Sequence, residues 1–231
     1  AVGEKGYRQI DINLGCPFPM IAGKHKGAGM LLYPAQVAEV LAPIAEYPEI
    51  QFSLKMRLGW ENASECMVLV ELLNTLRLSR IALHARTGKQ QYKGHPDLEA
   101  FQGFYELCQH PLYYNGGIES LSDIRQILIR FPLLKGVFIG RGLLSSPLLA
   151  KEFKGNETFL PEQRMSIYFA FHEELFSAYS QVLQGETQLL VKMKTLWEYF
   201  LPETDRKLLK RIKKSTRLQQ YTESVKAIFT S

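Results

Sequence analysis

The chain has 231 residues, 46% of them hydrophobic and 22% charged, with a net charge of +5; this soluble globular composition leaves room for one sizeable core and a small second domain. No apolar run approaches the roughly 20 residues of a membrane helix and the start is not signal-like, so a cytoplasmic protein with no membrane partner is expected. The three cysteines, Cys16, Cys66 and Cys108, form no C-x-x-C and leave an odd thiol, which argues against a disulfide framework and against a bound metal.

In chain order, β-like runs fall at residues 7–14, 52–58, 80–85, 112–115 and 136–139. Helical patterns fill the gaps: 35–46 after Pro34, 63–78 after Asn62 as an N-cap, 97–108 after Pro96, and 121–131 after Ser120 as a second N-cap. Strand and helix alternating at roughly 30-residue spacing read as repeated βα units around a parallel sheet. The strands have a phase. Phe52, Leu54, Met56 and Leu58 oppose Lys55 and Arg57; Ile10, Ile12 and Leu14 oppose Asp11 and Asn13; Ile81 and Leu83 oppose His84 and Arg86; the fourth run ends on Asn115. A parallel strand buried on both faces reads nearly all apolar. Polar residues gathered at the C-terminal ends of one face are the pattern of a βα-barrel active site.

After residue 159 no strand run follows. Residues 161–183, 188–200, 203–213 and 218–229 read as amphipathic helices, with Leu175, Tyr179, Val182 and Leu183 as one stripe. The expected division is a catalytic part at 1–153, a linker at 154–158 and a helical part at 159–231. Residues 206–217 (RKLLKRIKKSTR) hold seven basic residues and no acid; without them 21 basic residues face 23 acidic ones. Such a block fits a polyanion partner or a solvated helix face, and charge alone leaves both open. A closed barrel takes eight βα units in roughly 250 residues, whereas five strands are legible here. The chain also opens on Ala1, with Gly3 and Gly6 before the first strand as if at a helix end. About three further βα units are therefore expected upstream.

The strongest motif is DINLGCP at 11–17, which carries Cys16 out of a strand into a loop at the sheet mouth. Cys66 and Cys108 lie on apolar helices and read as small buried hydrophobes. A thiol of ordinary pKa, about 8.5, is mostly protonated at neutral pH and can act as a general acid; a nearby cation would make it a nucleophile instead, and both roles stay open. NGGIES at 115–120 and IGRG at 139–142 follow the last two strands. Paired glycines let backbone N–H groups approach an anion, so with Arg141 they point to a phosphorylated cofactor. Lys55 and His84 project from neighbouring strand ends, where a buried cation can stabilise negative charge.

Together DINLGCP, KMRLGW at 55–60, HARTGKQQYKG at 84–94, NGGI at 115–118 and IGRG at 139–142 resemble, in order and spacing, the tRNA-dihydrouridine synthase family. The helical tail resembles that family's tRNA-binding domain more loosely. The resemblance implies a (βα)8 TIM barrel holding FMN, of which about the last five units are present, followed by an all-α domain. It implies Cys16 as catalytic acid. Lys55 and His84 would contact the flavin, and Asn115, Gly116, Gly117, Gly140 and Arg141 would hold its phosphate end. Asn13, Arg57 and Tyr92 would meet the uracil, and Arg86 would support the site or the RNA. Lys210, Arg211, Lys213 and Lys214 would bind tRNA phosphates. Gly88-Lys89 departs from members with a further basic residue after the HxRT stretch. The family's first strand and a Gln on its third are absent from this sequence.

The implied reaction has two halves: NADPH reduces FMN, and the flavin gives hydride to uracil carbon 6 while Cys16 protonates carbon 5. A uracil stacked in tRNA must first be drawn into the pocket, at a cost of roughly a few kcal/mol that phosphate contacts can offset. The full-length enzyme is expected to be a monomer. Two other readings remain: a different FMN barrel acting on a free pyrimidine, which does not predict the basic tail, and a non-catalytic RNA-binding fragment.

Overall fold

The computed structural model describes residues 6–230, and Ala1 and Gly3, read above as the end of a helix, lie outside them. Five parallel strands pair strictly in sequence order: β1 (Gln9–Leu14), β2 (Gln51–Gly59), β3 (Leu78–Thr87), β4 (Leu112–Asn115) and β5 (Gly136–Phe138). Each neighbour is reached through a helical crossover, the only short route between parallel strands. One sheet face is apolar and covered at its centre, while Ile10 and Ile12 on β1 and Val137 on β5 are only half-buried. Leu54, Met56, Leu58, Ile81, Leu83, Ala85 and Tyr114 are buried there. Above them α3 (Glu65–Thr75) contributes Leu69, Val70 and Leu73, α4 (Leu98–Leu107) contributes Phe101 and Phe104, and α5 (Leu121–Arg130) contributes Ile124 and Ile127. Phe101 meets Tyr114 and Phe131 edge-on, with ring centres 4.9 and 5.0 Å away. The architecture of this part is therefore α/β with a parallel sheet.

A short helix α1 (Pro19–Ala22) and a 3-10 turn follow β1, and α2 (Pro34–Leu41) precedes β2. Several element ends differ from the sequence reading. The helix expected over 35–46 stops at Leu41 and continues as a 3-10 turn through Ala45, because Pro43 lacks the N–H that an α-helical turn needs and its ring crowds the preceding turn. Asn62 is not an N-cap. Ser64 holds that position, and the Glu65 carboxylate reaches back to accept from the N–H groups of Trp60, Glu61 and Asn62 at 2.7, 3.1 and 2.8 Å. That helix ends at Thr75, since Leu78 is drawn into the sheet opposite Phe52. Asp97 caps α4, accepting from the Ala100 N–H at 2.9 Å.

The chain divides into two compact units, the first holding the sheet and the second running from Gly140 with residues 119–121. Among the described residues the second unit is helical: α6 (Arg141–Ser145), α7 (Leu149–Gly155), α8 (Pro161–Val182), α9 (Glu186–Leu196), α10 (Arg206–Lys214) and α11 (Leu218–Phe229). Residues 154 and 155, expected in a linker, are the last turn of α7, which closes on Asn156 in the left-handed conformation (φ +47°) that Asn tolerates at a helix end. Val182 does not join the stripe of Leu175, Tyr179 and Leu183; it is 72% exposed at the end of α8. The core is Tyr168, Met193, Trp197, Phe200, Ile212, Tyr221 and Val225.

That core contains one polar chain. The Trp197 indole N–H donates to the Tyr221 hydroxyl at 3.0 Å, and the hydroxyl lies 2.6 Å from His172 Nε2. The Glu173 carboxylate only accepts, so in the neutral ring His172 Nδ1–H donates to it at 3.0 Å and Nε2 accepts the proton of the Tyr221 hydroxyl. Every partner is satisfied with His172 neutral. Burial holds its pKa below the ordinary 6.5, although Glu173 pulls upward. Replacing Tyr221 with Phe should cost about 1–3 kcal/mol, because two buried groups lose their partner. The wild-type helical unit should lose stability as the pH falls below about 6.5, since the unfolded chain protonates His172 first, and should show no His172-linked slope above about pH 7.5. Urea unfolding followed by tryptophan fluorescence across pH 5–8 measures both effects. A flat profile through that range would remove His172 from the account.

Candidate active site

In a parallel pair, side chains opposite one another project from the same face. The register puts Asn13 beside Lys55, and Lys55 beside Ala82; it puts Arg57 beside His84, and His84 beside Asn115. Asn13, Lys55, Arg57, His84 and Asn115 therefore share the face opposite the helices, at the C-terminal ends of four adjacent strands. Arg86 lies two residues beyond His84 on the same face.

Cys16 sits in the turn that leaves β1. The Asn13 side-chain carbonyl accepts from the Gly15 N–H at 2.9 Å, and the Cys16 carbonyl accepts from the Ala28 N–H at 3.0 Å. Gly27 has φ +55°, and a Cβ there would lie 2.8 Å from the Cys16 carbonyl oxygen and 2.9 Å from its Cβ. Only glycine lets the chain fold back this closely. Cys16 is half-buried, whereas Cys66 is fully buried with its thiol pushed up to about 12 by that burial. Cys108 is half-buried at the end of α4, and burial raises its thiol as well.

Arg57 is 1% exposed. Its Nε donates to the Gly15 carbonyl at 3.0 Å, and its Nη1 donates to the carbonyls of Thr87 and Gln91 at 2.8 and 2.7 Å. The guanidinium carbon lies 5.5 Å from the centre of the Tyr92 ring. Burial draws the Arg57 pKa below its ordinary value, with Tyr92 as the main opposing influence. Lys55 is half-buried, and its pKa is lowered first by burial and then by the charge of Arg57, against Asp11. Its Nζ stands 3.6 Å from where a Cβ on Gly15 would be.

His84 is buried, with Nε2 3.3 Å from Arg86 Nη1 and its ring centre 6.5 Å from that of Tyr92. Arg86 Nη2 donates to the Gly94 carbonyl at 2.9 Å. The loop between them is knitted to the end of β2. Gly88 and Lys89 N–H groups donate to the carbonyls of Gly59 and Trp60 at 2.8 and 2.9 Å, Lys89 pairs with Glu61 at 2.6 Å, and the Thr87 N–H donates to the Gln90 side chain at 2.8 Å. Gly88 rests on the Trp60 indole, leaving no space for a Cβ. Tyr92 is half exposed at the loop's tip. Asn115 donates to the Phe138 carbonyl at 2.8 Å. Gly116 (φ +134°) packs against the His84 ring and Gly117 (φ +61°) against Pro96, with Cβ distances of 3.2 and 3.0 Å.

The register thus gathers Asn13, Lys55, Arg57, His84, Arg86 and Asn115, with Cys16, Tyr92, Gly116 and Gly117 in the loops that follow. Gly140 and Arg141 belong to the second unit, at the start of α6. Lys210, Arg211, Lys213 and Lys214 are all exposed on α10. Lys210, Arg211 and Lys214, without Lys213, line a groove of about 400 Å³ with Lys207 on the same helix and Gln220, Glu223 and Ser224 on α11. Sequence reasoning passed over Gly27, and it read Trp60 and Gln90 within motifs without giving either a part in fixing the loop. The chain folds Gly27 onto Cys16, and Trp60 and Gln90 fix the 87–94 loop. A glycine eleven residues past the cysteine carries no periodic signal, and the tryptophan reads as an ordinary hydrophobe.

Among the described residues no helix is long and apolar enough to cross a membrane, and no cluster of His, Cys, Asp or Glu has metal-site geometry. The family model for dihydrouridine synthase matches residues 1–230. tRNA-dihydrouridine synthase B of Vibrio vulnificus is 28% identical over 163 residues, covering 69% of this chain and 50% of that protein. A probable tRNA-dihydrouridine synthase of Rhizobium leguminosarum is 32% identical over 145 residues, covering 62% of this chain and 45% of that protein. The chain spans about half the length of the curated relatives it matches. With the family model spanning nearly every residue, the chain belongs to the dihydrouridine synthase family.

Proposed function

We propose that this protein takes part in reducing a uridine of tRNA to 5,6-dihydrouridine, with FMN as cofactor, NADPH as reductant and Cys16 as proton donor. The observation that carries the reading is the gathering of Asn13, Lys55, His84 and Asn115 on one face at the C-terminal ends of adjacent strands, with Cys16 in the next turn. In a βα barrel that end of the strands is where chemistry resides, and the sheet is read as five consecutive units of such a barrel.

The residues present suit a flavin phosphate. Gly116 and Gly117 hold positive φ where a Cβ would press on the His84 ring and on Pro96, so glycine keeps the backbone N–H groups of this turn accessible to an anion, and the half-buried Lys55 supplies a cation on the same sheet face. Lys55 and His84 would face the ring, and Asn115, Gly116 and Gly117 the phosphate end; Gly140 and Arg141 join this set on the strength of the IGRG motif. When bound, FMN supplies the hydride for uracil carbon 6, having taken it from NADPH. Lys55 stabilises negative charge beside it, the more strongly because water is partly excluded. Asn13, Arg57 and Tyr92 make up the uracil end, with Arg57 acting through Tyr92, since its Nε and Nη1 are engaged by carbonyls. Arg86 supports His84 and the 87–94 loop. Cys16 gives its proton to carbon 5 from a turn held rigid by Gly27 and Ala28.

The helices of residues 159–231 are read as the tRNA-binding part of a monomeric enzyme. Four cations on α10, exposed and away from any acid on the same helix, suit the phosphates of a polyanion.

Two outcomes follow. Cys16→Ala should keep flavin binding and NADPH oxidation while slowing uridine reduction about 10²-fold or more; Cys66→Ala and Cys108→Ala should alter stability only. Dihydrouridine yield by mass spectrometry of tRNA measures this, and a normal yield from the Cys16 variant removes the thiol from the mechanism. Replacing Lys210, Arg211, Lys213 and Lys214 with Ala should weaken tRNA binding and flatten its log–log salt slope by about 0.7–0.9 per lost phosphate contact, with flavin content unchanged. An unchanged slope would make α10 a solvated face and favour a free pyrimidine as substrate.

A further inference from the structure

Arg57 binds two loops at the mouth of the sheet, which also approach each other where Gly88 lies against Ala28. One of its nitrogens holds the carbonyl of Gly15, the residue before Cys16; another holds the carbonyls of Thr87 and of Gln91, the residue before Tyr92. We propose that Arg57 is a positioning residue that couples the 87–94 loop to Cys16, so that the seating of the loop sets where the thiol stands. Its part in uridine reduction rests on the reading above.

The chemistry of the side chain favours such a role. A guanidinium is planar and carries its donors at fixed angles, so Nε and Nη1 cannot turn independently. Displacing the Thr87 and Gln91 carbonyls rotates the fork and shifts the acceptor on Gly15. At 1% exposure water cannot take the place of those carbonyls, and a buried cation left without acceptors is costly, so the contacts move together and do not simply break. Both loops are stiff enough to transmit the shift. The Cys16 turn is closed by Asn13 and Ala28 and has Gly27 packed against it, while the other loop is closed by the Thr87 and Gln90 pair and by Gly88 on Trp60. Lysine at this position would carry one ammonium on a flexible stem and could not hold three carbonyls in register.

A double-mutant cycle tests the coupling. Gln90→Ala removes the acceptor for the Thr87 N–H and loosens the loop while touching neither Arg57 nor Cys16. Iodoacetamide alkylation of the native protein, read by mass spectrometry of the Cys16 peptide, reports the thiol's setting, with the Cys66 and Cys108 peptides as internal references. Gln90→Ala should change the Cys16 rate about threefold or more in the wild-type background and leave it unchanged in the Arg57→Lys background. Equal effects in both backgrounds, or none in the wild type, overturn the proposal. Should Arg57→Lys fail to fold, Arg57→Gln takes its place in the cycle, since its single amide cannot hold the Gly15 carbonyl and both loop carbonyls at once: an effect of Gln90→Ala that vanishes in that background supports the coupling and one that persists refutes it. In a wild type shown to make dihydrouridine, Arg57→Lys should lower kcat about tenfold or more with a smaller change in KM for tRNA. A rise in KM alone would make Arg57 a simple substrate contact. A wild type that makes no dihydrouridine sinks the tRNA reading, and the alkylation cycle then judges the coupling by itself.

Discussion

The parallel register fixes what the site can be. Once β1, β2, β3 and β4 run in the same direction, residues in partnered positions share a face and an end, so Asn13, Lys55, Arg57, His84 and Asn115 are brought together by backbone hydrogen bonds alone. A slip of one residue in any pairing would send a charged group to the helix-covered side. That side is filled by Met56, Leu58, Ile81 and Leu83, all with essentially no exposure, and offers a charge no partner. The packed face therefore holds the polar face in register. The loops then close over ends that are already aligned.

Arg57 shows how little freedom remains after that alignment. A buried cation must be hydrogen-bonded, and here the acceptors are the main-chain carbonyls of the loops that leave β1 and β3. Those loops have no hydrophobic stripe of their own to fix them. Their conformations come from short local bonds, such as Asn13 to Gly15 and Thr87 to Gln90, and from glycines that allow close approach, Gly27 on Cys16 and Gly88 on Trp60.

Period-two alternation exposed the strands and their phase, because burying Leu54, Met56 and Leu58 on one side forces Lys55 and Arg57 to the other; residues 52–58 lie within β2 and residues 80–85 within β3. The helix ends were less legible. Pro43 ended α2 early, and Glu65 secures the helix entry expected of Asn62, since a carboxylate on the first helical residue reaches back to three N–H groups at once. Val182 fitted a stripe by spacing yet faces solvent, while Tyr179 and Leu183 on either side of it pack against the core. The partners of Arg57 could not be read at all. They are carbonyls, which every residue has, and their identity depends on loop conformation and not on residue type.

Two groups of positive charge among the described residues differ physically, and this bears on what each can do. Arg57 and Arg86 are buried and bound to carbonyls and to His84. Their charge is committed at short range in a region of low polarisability, where added salt hardly reaches it. The cations of α10 stand in water on a helix whose apolar side, Leu208, Leu209 and Ile212, is packed away. With a net charge of +5 for the chain and seven basic residues inside 206–217, the long-range field is set by this segment and is screened within about 8 Å at physiological ionic strength. Salt should therefore act on encounter with a polyanion and leave the geometry around Cys16 untouched. A site built from carbonyl-bound arginines holds its shape as ionic strength rises, while attraction between the α10 cations and any polyanion would weaken, because binding to phosphates releases the polyanion's condensed counterions into an already salty solution.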